Sequence, residues 1–120
     1  MKIIVLALLS AIAISLPLGV YYYSPGQSML ADDVQHNTTL IIVAFANIQN
    51  DGTVVLPSTL IPCTAIAGWR QLGKKVFFSI GGQDATWTNI FASNASMTRA
   101  INSILQILNT SPFQGVDLDI

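Results

Sequence analysis

Near the end of the 120-residue chain, Gly115 to Ile120 reads GVDLDI. On an extended strand successive side chains alternate between faces. Val116, Leu118 and Ile120 therefore share one face, and Asp117 and Asp119 the other, with Cα atoms roughly 6.6 Å apart. The apolar set suits packing under helices, which turns both carboxylates into the interior of a sheet or barrel. Two interior like charges are costly unless they are paired, protonated or engaged in chemistry. The competing reading is an edge strand with a solvated face.

A second segment has its own chemistry. Ser79-Ile80-Gly81-Gly82 closes an apolar run and puts a hydroxyl and a position without a side chain on one face. Parallel α/β folds place their sites at the C-terminal ends of strands. A glycine there lets a ligand or a backbone come close. A plain strand-to-helix turn would look the same.

These residues need strands to carry them. Leu18–Tyr23 is a short apolar and aromatic run closed by Ser24-Pro25-Gly26. Thr39–Ala46 (TLIIVAFA) is almost continuously apolar, as in a strand buried on both faces, and Asn50-Asp51-Gly52 supplies turn chemistry after it. Lys75–Ile80 and Gly115–Ile120 are two further runs. Helices are predicted between them, over Thr59–Leu72 (interrupted by Pro62 and Gly68) and over Asn94–Leu108. In the second, Met97, Ala100, Ile101, Ile104, Leu105 and Leu108 follow the spacing of one helical face. Ser93 or Asn94 can cap its start, and Pro112 forbids its continuation. Gly26–Thr38 reads as a loop or short helix. Buried strands alternating with amphipathic helices mean βαβ units and a parallel sheet. Four strands fit either an open doubly wound sheet or half of a (β/α)8 barrel.

The composition is apolar for a free-standing domain: 52% hydrophobic, 9% charged, with mean hydropathy +0.58. Export accounts for part of this. Met1-Lys2 precedes the apolar run Ile3–Ala13, and a signal peptide is expected over residues 1–13, with cleavage after Ala13 or after Ser15. An uncleaved anchor is the competing reading, against which Pro17 and Gly19 interrupt a spanning helix. The expected location is outside the cell, with no membrane partner once the signal is removed. Sequons at Asn37, Asn94 and Asn109 agree with that route and are candidate glycosylation sites. Cys63 is the lone cysteine, read either as awaiting a partner elsewhere or as a buried thiol. A net charge of −1 gives no footprint for nucleic acid. Lys74 and Lys75 are expected to be the solvated lead-in to a strand. His36 has no ligating cluster around it, so no metal is expected.

Taken together, KVFFSIGG and then FQGVDLDI resemble glycoside hydrolase family 18, the chitinase family, which carries S-x-G-G on its third barrel strand and D-x-x-D-x-D-x-E on its fourth. LIIVAFANIQNDGTVV and GVYYYSPGQ resemble its second and first strands, so the likeness spans residues 18–120. It implies a (β/α)8 TIM barrel of which this chain holds about the first four units. It also implies hydrolysis of β-1,4-linked N-acetylglucosamine polymers (chitin or a related glycan) by substrate-assisted retaining catalysis, without a cofactor. Asp117 and Asp119 match the second and third motif aspartates. Gln114 stands where the first is expected, a departure from the pattern. The motif glutamate, the general acid, would be residue 121. The 120 residues alone are therefore expected to be inactive and poorly soluble. A chitinase-like lectin that binds glycans without cutting them is the alternative, and the residue after Ile120 separates the two. An exported α/β domain unrelated to sugar stands behind both. The resemblance further suggests sugar contacts from Ser79, Gly81 and Gly82, from Tyr22 (or Tyr21, the register being open), from Phe45, which otherwise packs in the core, and from Trp87 in a rim loop. Trp69 is expected between helix and sheet.

Overall fold

The computed structural model describes residues 18–23, 37–58 and 63–120. Residues 1–13, where a signal peptide is expected, His36 and most of the Gly26–Thr38 segment lie outside the described residues. Five strands, β1 (Gly19–Tyr23), β2 (Leu40–Ile48), β3 (Val54–Val55), β4 (Lys75–Gly81) and β5 (Gly115–Asp119), alternate with α1 (Cys63–Gln71), α2 (Trp87–Phe91) and α3 (Asn94–Thr110). The sheet runs β1-β2-β4-β5 with all neighbours parallel, and β3 pairs antiparallel with the end of β2.

One face of this sheet is uniformly apolar. Tyr22, Ile41, Val43, Val76, Phe78 and Ile80 point into a core shared with Ile66 and Trp69 of α1, Ile90 of α2 and Ala100 of α3. Trp69 is buried edge-on against Tyr22, ring centroids 5.7 Å apart, a geometry worth about 0.5–1.5 kcal/mol beyond the area it hides. The opposite face takes every second residue: Tyr21 on β1, Phe77 and Ser79 on β4, Asp117 and Asp119 on β5. In β2 the register with β4 shifts between Val43 and Ala46, where the Ala44–Phe45 peptide is cis. Core-facing positions are odd-numbered before the shift (Ile41, Val43) and even-numbered after it (Ala46, Ile48). The shift turns Phe45 and Asn47 to the side of Tyr23.

α3 keeps most of its expected face and shifts one edge of it. Met97, Ala100, Ile104 and Leu108 pack against the core, but Ile101 and Leu105 are exposed, and Ser96 and Ser103 are buried beside Ala100. The serines go inside because their hydroxyls have partners there. Ser103 Oγ donates into the Arg99 and Ala100 carbonyls and accepts from Val54 N–H at 2.9 Å, which ties α3 to β3. Small side chains also let the helix come close to the strand. Ser93 caps α3 by accepting from Ser96 N–H at 3.0 Å, and the helix runs two residues past its expected end, to Thr110.

Three smaller expectations also change. Cys63 opens α1 with an exposed free thiol. Lys74 is half-buried and its ammonium donates to the Thr38 carbonyl at 2.6 Å, so only Lys75 is solvated. On β5, Val116 packs against the core but Leu118 is 53% exposed, because no described helix covers it.

Candidate active site

β4 and β5 lie parallel with Ser79 opposite Asp117 and Gly81 opposite Asp119. Gly115 makes the close approach possible at the strand's start. A Cβ there would fall 2.7 Å from the Phe77 ring. At the other end a Cβ on Gly81 would run into the Asp119 carbonyl, and Gly81 has φ +142°, which other residues adopt only under strain. The Ser-x-Gly-Gly segment is thus fitted to the acidic strand beside it.

Asp117 is half-buried, and one of its oxygens accepts two hydroxyls. Ser79 Oγ, itself fully buried, donates to Oδ2 at 2.7 Å, and Tyr21 Oη donates to the same atom at 2.9 Å. Hydrogen bonds to an ionised acceptor are short and strong, and these two fix the carboxylate. Asp119 is exposed one step further along the row. Among the described residues no hydrogen bond joins the two carboxylates, so Asp117 is satisfied by hydroxyls instead of by its neighbour. Tyr21 feels both. The hydrogen bond to Asp117 holds its phenol above the ordinary value of 10.0, with desolvation and the charges of Asp117 and Asp119 adding to it.

The alternation on β1 decides between the two tyrosines. Tyr22 is buried against Trp69 on the helix side and does not reach the acidic row, whereas Tyr21 does. Phe45, Gly81 and Gly82 line a cleft of about 720 Å³ together with Tyr23, Asn47, Gln49, Gln83 and Asp84. The ring of Phe45 lies under Gly82, where a Cβ would sit 3.0 Å from it, and edge-on to Tyr23 at 6.2 Å. Phe45 therefore walls the cleft instead of filling the core. Trp87 does not stand in a rim loop. It begins α2, stacks on Phe91, and its indole N–H donates to the Asp119 carbonyl at 3.3 Å.

Sequence reasoning did not single out Tyr23, Asn47, Gln49, Gln83 or Asp84, since single polar or aromatic residues beyond a strand end carry no periodic signal. Gln114 keeps a structural place at the head of β5. Its N–H donates to the Val76 carbonyl at 2.8 Å and its side-chain oxygen accepts from Val76 N–H at 3.2 Å. Among the described residues no group of three or more His, Cys, Asp and Glu side chains is arranged to hold a metal ion.

A parallel β/α sheet with carboxylates, hydroxyls and an aromatic-walled cleft at the C-terminal ends of its strands is the architecture of a barrel-type enzyme site. The chain belongs to the glycosyl hydrolases family 18, whose model matches residues 18–120. Solved structures agree on the fold. A family 18 chitinase from Chromobacterium violaceum is 26% identical with a TM-score of 0.68, covering 88% of this chain and 30% of its own. A family 18 N-acetylglucosaminidase from Paenibacillus barengoltzii gives 17% and 0.74, covering 86% and 31%. A class V chitinase from Nicotiana tobaccum, solved in complex with NAG4, gives 20% and 0.66, covering 84% and 31%. The chain spans about a third of the length of these structures and forms part of a (β/α)8 barrel. The comparison with curated protein sequences gives no match.

Proposed function

We propose that this chain supplies the first β/α units of a chitinase-type catalytic barrel that hydrolyses β-1,4-linked N-acetylglucosamine polymers. The observation that carries the reading is the pair of hydroxyls, Ser79 and Tyr21, converging on one oxygen of Asp117, with Asp119 next in the row. Such fixation holds a charge in one place, which is what stabilising a cationic intermediate requires. The adjoining cleft adds the ring faces of Phe45 and Tyr23 and the amides of Asn47 and Gln49, a mixture suited to a sugar's apolar faces and hydroxyls.

In the proposed reaction the substrate's own N-acetyl carbonyl oxygen attacks the anomeric carbon, and the glycosidic bond breaks as the leaving oxygen takes a proton from a general acid. This is an exception to the two-carboxylate scheme. Asp119 orients the acetamido group and balances the positive charge of the oxazolinium ion, which water then opens. Asp117, anchored by its hydroxyl donors, holds a second carboxylate two residues before Asp119 in the same row. The general acid contributes about 10²–10⁴-fold. All six acidic residues of the 120 are aspartates, so none of them is the glutamate of the family motif. Export with removal of residues 1–13, and glycan attachment at Asn37, Asn94 and Asn109, belong to the same proposal.

Calorimetric titration of chitotetraose into the 120-residue chain tests it. Binding is expected, weakened about tenfold or more by Asp119→Asn and by Phe45→Ala, with no new reducing ends released. Affinity indifferent to both substitutions overturns the site, and hydrolysis by these residues alone overturns the role given to the glutamate. The lectin reading draws on the same cleft and the same lack of glutamate among these residues. Cleavage of chitotetraose by the full-length protein rejects it.

A further inference from the structure

Asp119 is the last paired residue of β5, opposite Gly81 of β4. Beyond that pair β4 turns away through Gly81 and Gly82, both at positive φ. Trp87 meets the Asp119 carbonyl instead, its indole N–H donating at 3.3 Å. An indole N–H can only donate, so this contact has one polarity. The ring is also held on its other sides. It packs against the core and lies nearly parallel to Phe91, 22° between planes. A Cβ on Gly81 would run into the same carbonyl, so only glycine fits opposite it. The Asp119 carbonyl thus has an indole donor and stands opposite a position that only glycine can occupy. With the strand pairing on its N-terminal side, this restricts how the backbone that carries the Asp119 side chain can turn.

We infer that Trp87 is a positioning residue for Asp119, acting through the carbonyl of the strand's last residue and not by stacking on sugar. The consequence for ligand binding rests on the carbohydrate reading above; the seating itself does not.

The experiment uses the isotopically labelled 120-residue chain in three forms: wild type, Trp87→Phe, which keeps a ring and loses the donor, and Trp87→His, which keeps a ring N–H. The chain has two tryptophans, so the Trp69 indole signal reports an intact core in every form. Expected are slow solvent exchange of the Trp87 indole proton, an upfield movement of the Asp119 carbonyl carbon in Trp87→Phe, and its partial return in Trp87→His. Chitotetraose affinity should fall about fivefold in Trp87→Phe, the worth of one hydrogen bond, and recover in the histidine form. An Asp119 carbonyl signal unmoved in Trp87→Phe overturns the inference. So does weakened binding with that signal unmoved, which would mean direct contact between ring and sugar. A histidine form no better than phenylalanine overturns it as well. If the carbonyl responds as expected and no form binds chitotetraose, the seating stands and the carbohydrate reading falls.

Discussion

Ser79 and Asp117 stand opposite one another on adjacent parallel strands, and the fully buried serine hydroxyl donates to the carboxylate at 2.7 Å. A donor on the facing strand makes an acid tolerable inside a sheet whose other face is wholly apolar. Replacing Ser79 by Ala removes one of the two hydroxyls on Asp117. Net hydrogen bonds to charged groups are worth about 1.5–3 kcal/mol, and half-burial of Asp117 puts the expected loss at the lower end. Urea unfolding should show a lower midpoint at unchanged slope. Tyr21→Phe should cost less alone, and the double variant should fall short of the sum or exceed it, since both hydroxyls share one acceptor.

Tyr21 links the same site to pH. Its phenol is held above 10.0, first by the hydrogen bond to Asp117. A group whose proton is bound more tightly in the folded state adds stability fully below its unfolded value and loses it as pH rises through the folded value. Stability should therefore fall with rising pH above about 10 in part through Tyr21. Absorbance titration of the phenolate should give a Tyr21 midpoint above that of a free tyrosine, and Asp117→Asn should bring it down. An unchanged midpoint in that variant means that the hydroxyl does not donate to Asp117 in solution.

Glycines give a sharper contrast. A methyl group on Gly81 meets the Asp119 carbonyl, and φ +142° is strained for alanine. Gly81→Ala should destabilise by at least the 1–3 kcal/mol of an unfavourable backbone conformation, and should loosen the β4–β5 pair most. Gly68, inside α1, has nothing within 4 Å of its added Cβ. Gly68→Ala should stabilise by about 0.5–1 kcal/mol. Thermal melts of both variants check the opposite signs.

The strands and the shared face of Asp117 and Asp119 were legible because period-two alternation leaves a direct trace, although only Asp117 is half-buried and Asp119 is exposed. Which tyrosine of Tyr21 and Tyr22 joins that row was not, because the choice depends on Trp69 packing from another element. The register shift in β2 likewise leaves no mark in TLIIVAFA, since residues on both faces of that run are apolar, yet it decides that Phe45 lines the cleft. α2 has only five residues, too few for a helical period to emerge. α3 was located correctly, and of its expected face Met97, Ala100, Ile104 and Leu108 do pack against the core, while Ile101 and Leu105 do not. Hydropathy counts Ser96 and Ser103 as polar, but the Ser96 hydroxyl pairs with that of Ser93 and the Ser103 hydroxyl donates to the Arg99 carbonyl.

That shifted edge leaves Ile101 and Leu105 four residues apart on α3, 58% and 51% exposed. With exposed Phe91, Leu118 and Ile120 they give the chain apolar surface, and self-association through it is the expected outcome. Ile101→Glu with Leu105→Lys replaces the pair by an i, i+4 ion pair of favourable orientation. Because neither side chain is packed, stability should change by less than about 0.5 kcal/mol. The monomer fraction in light scattering after size exclusion should rise. Ala100 lies one position before Ile101 but is buried, and Ala100→Leu should cost about 1–3 kcal/mol by overpacking. If the charged pair lowers the melting temperature as much as Ala100→Leu does, α3 buries Ile101 and Leu105 after all, and the serine-lined face described above is not the one that packs on the sheet.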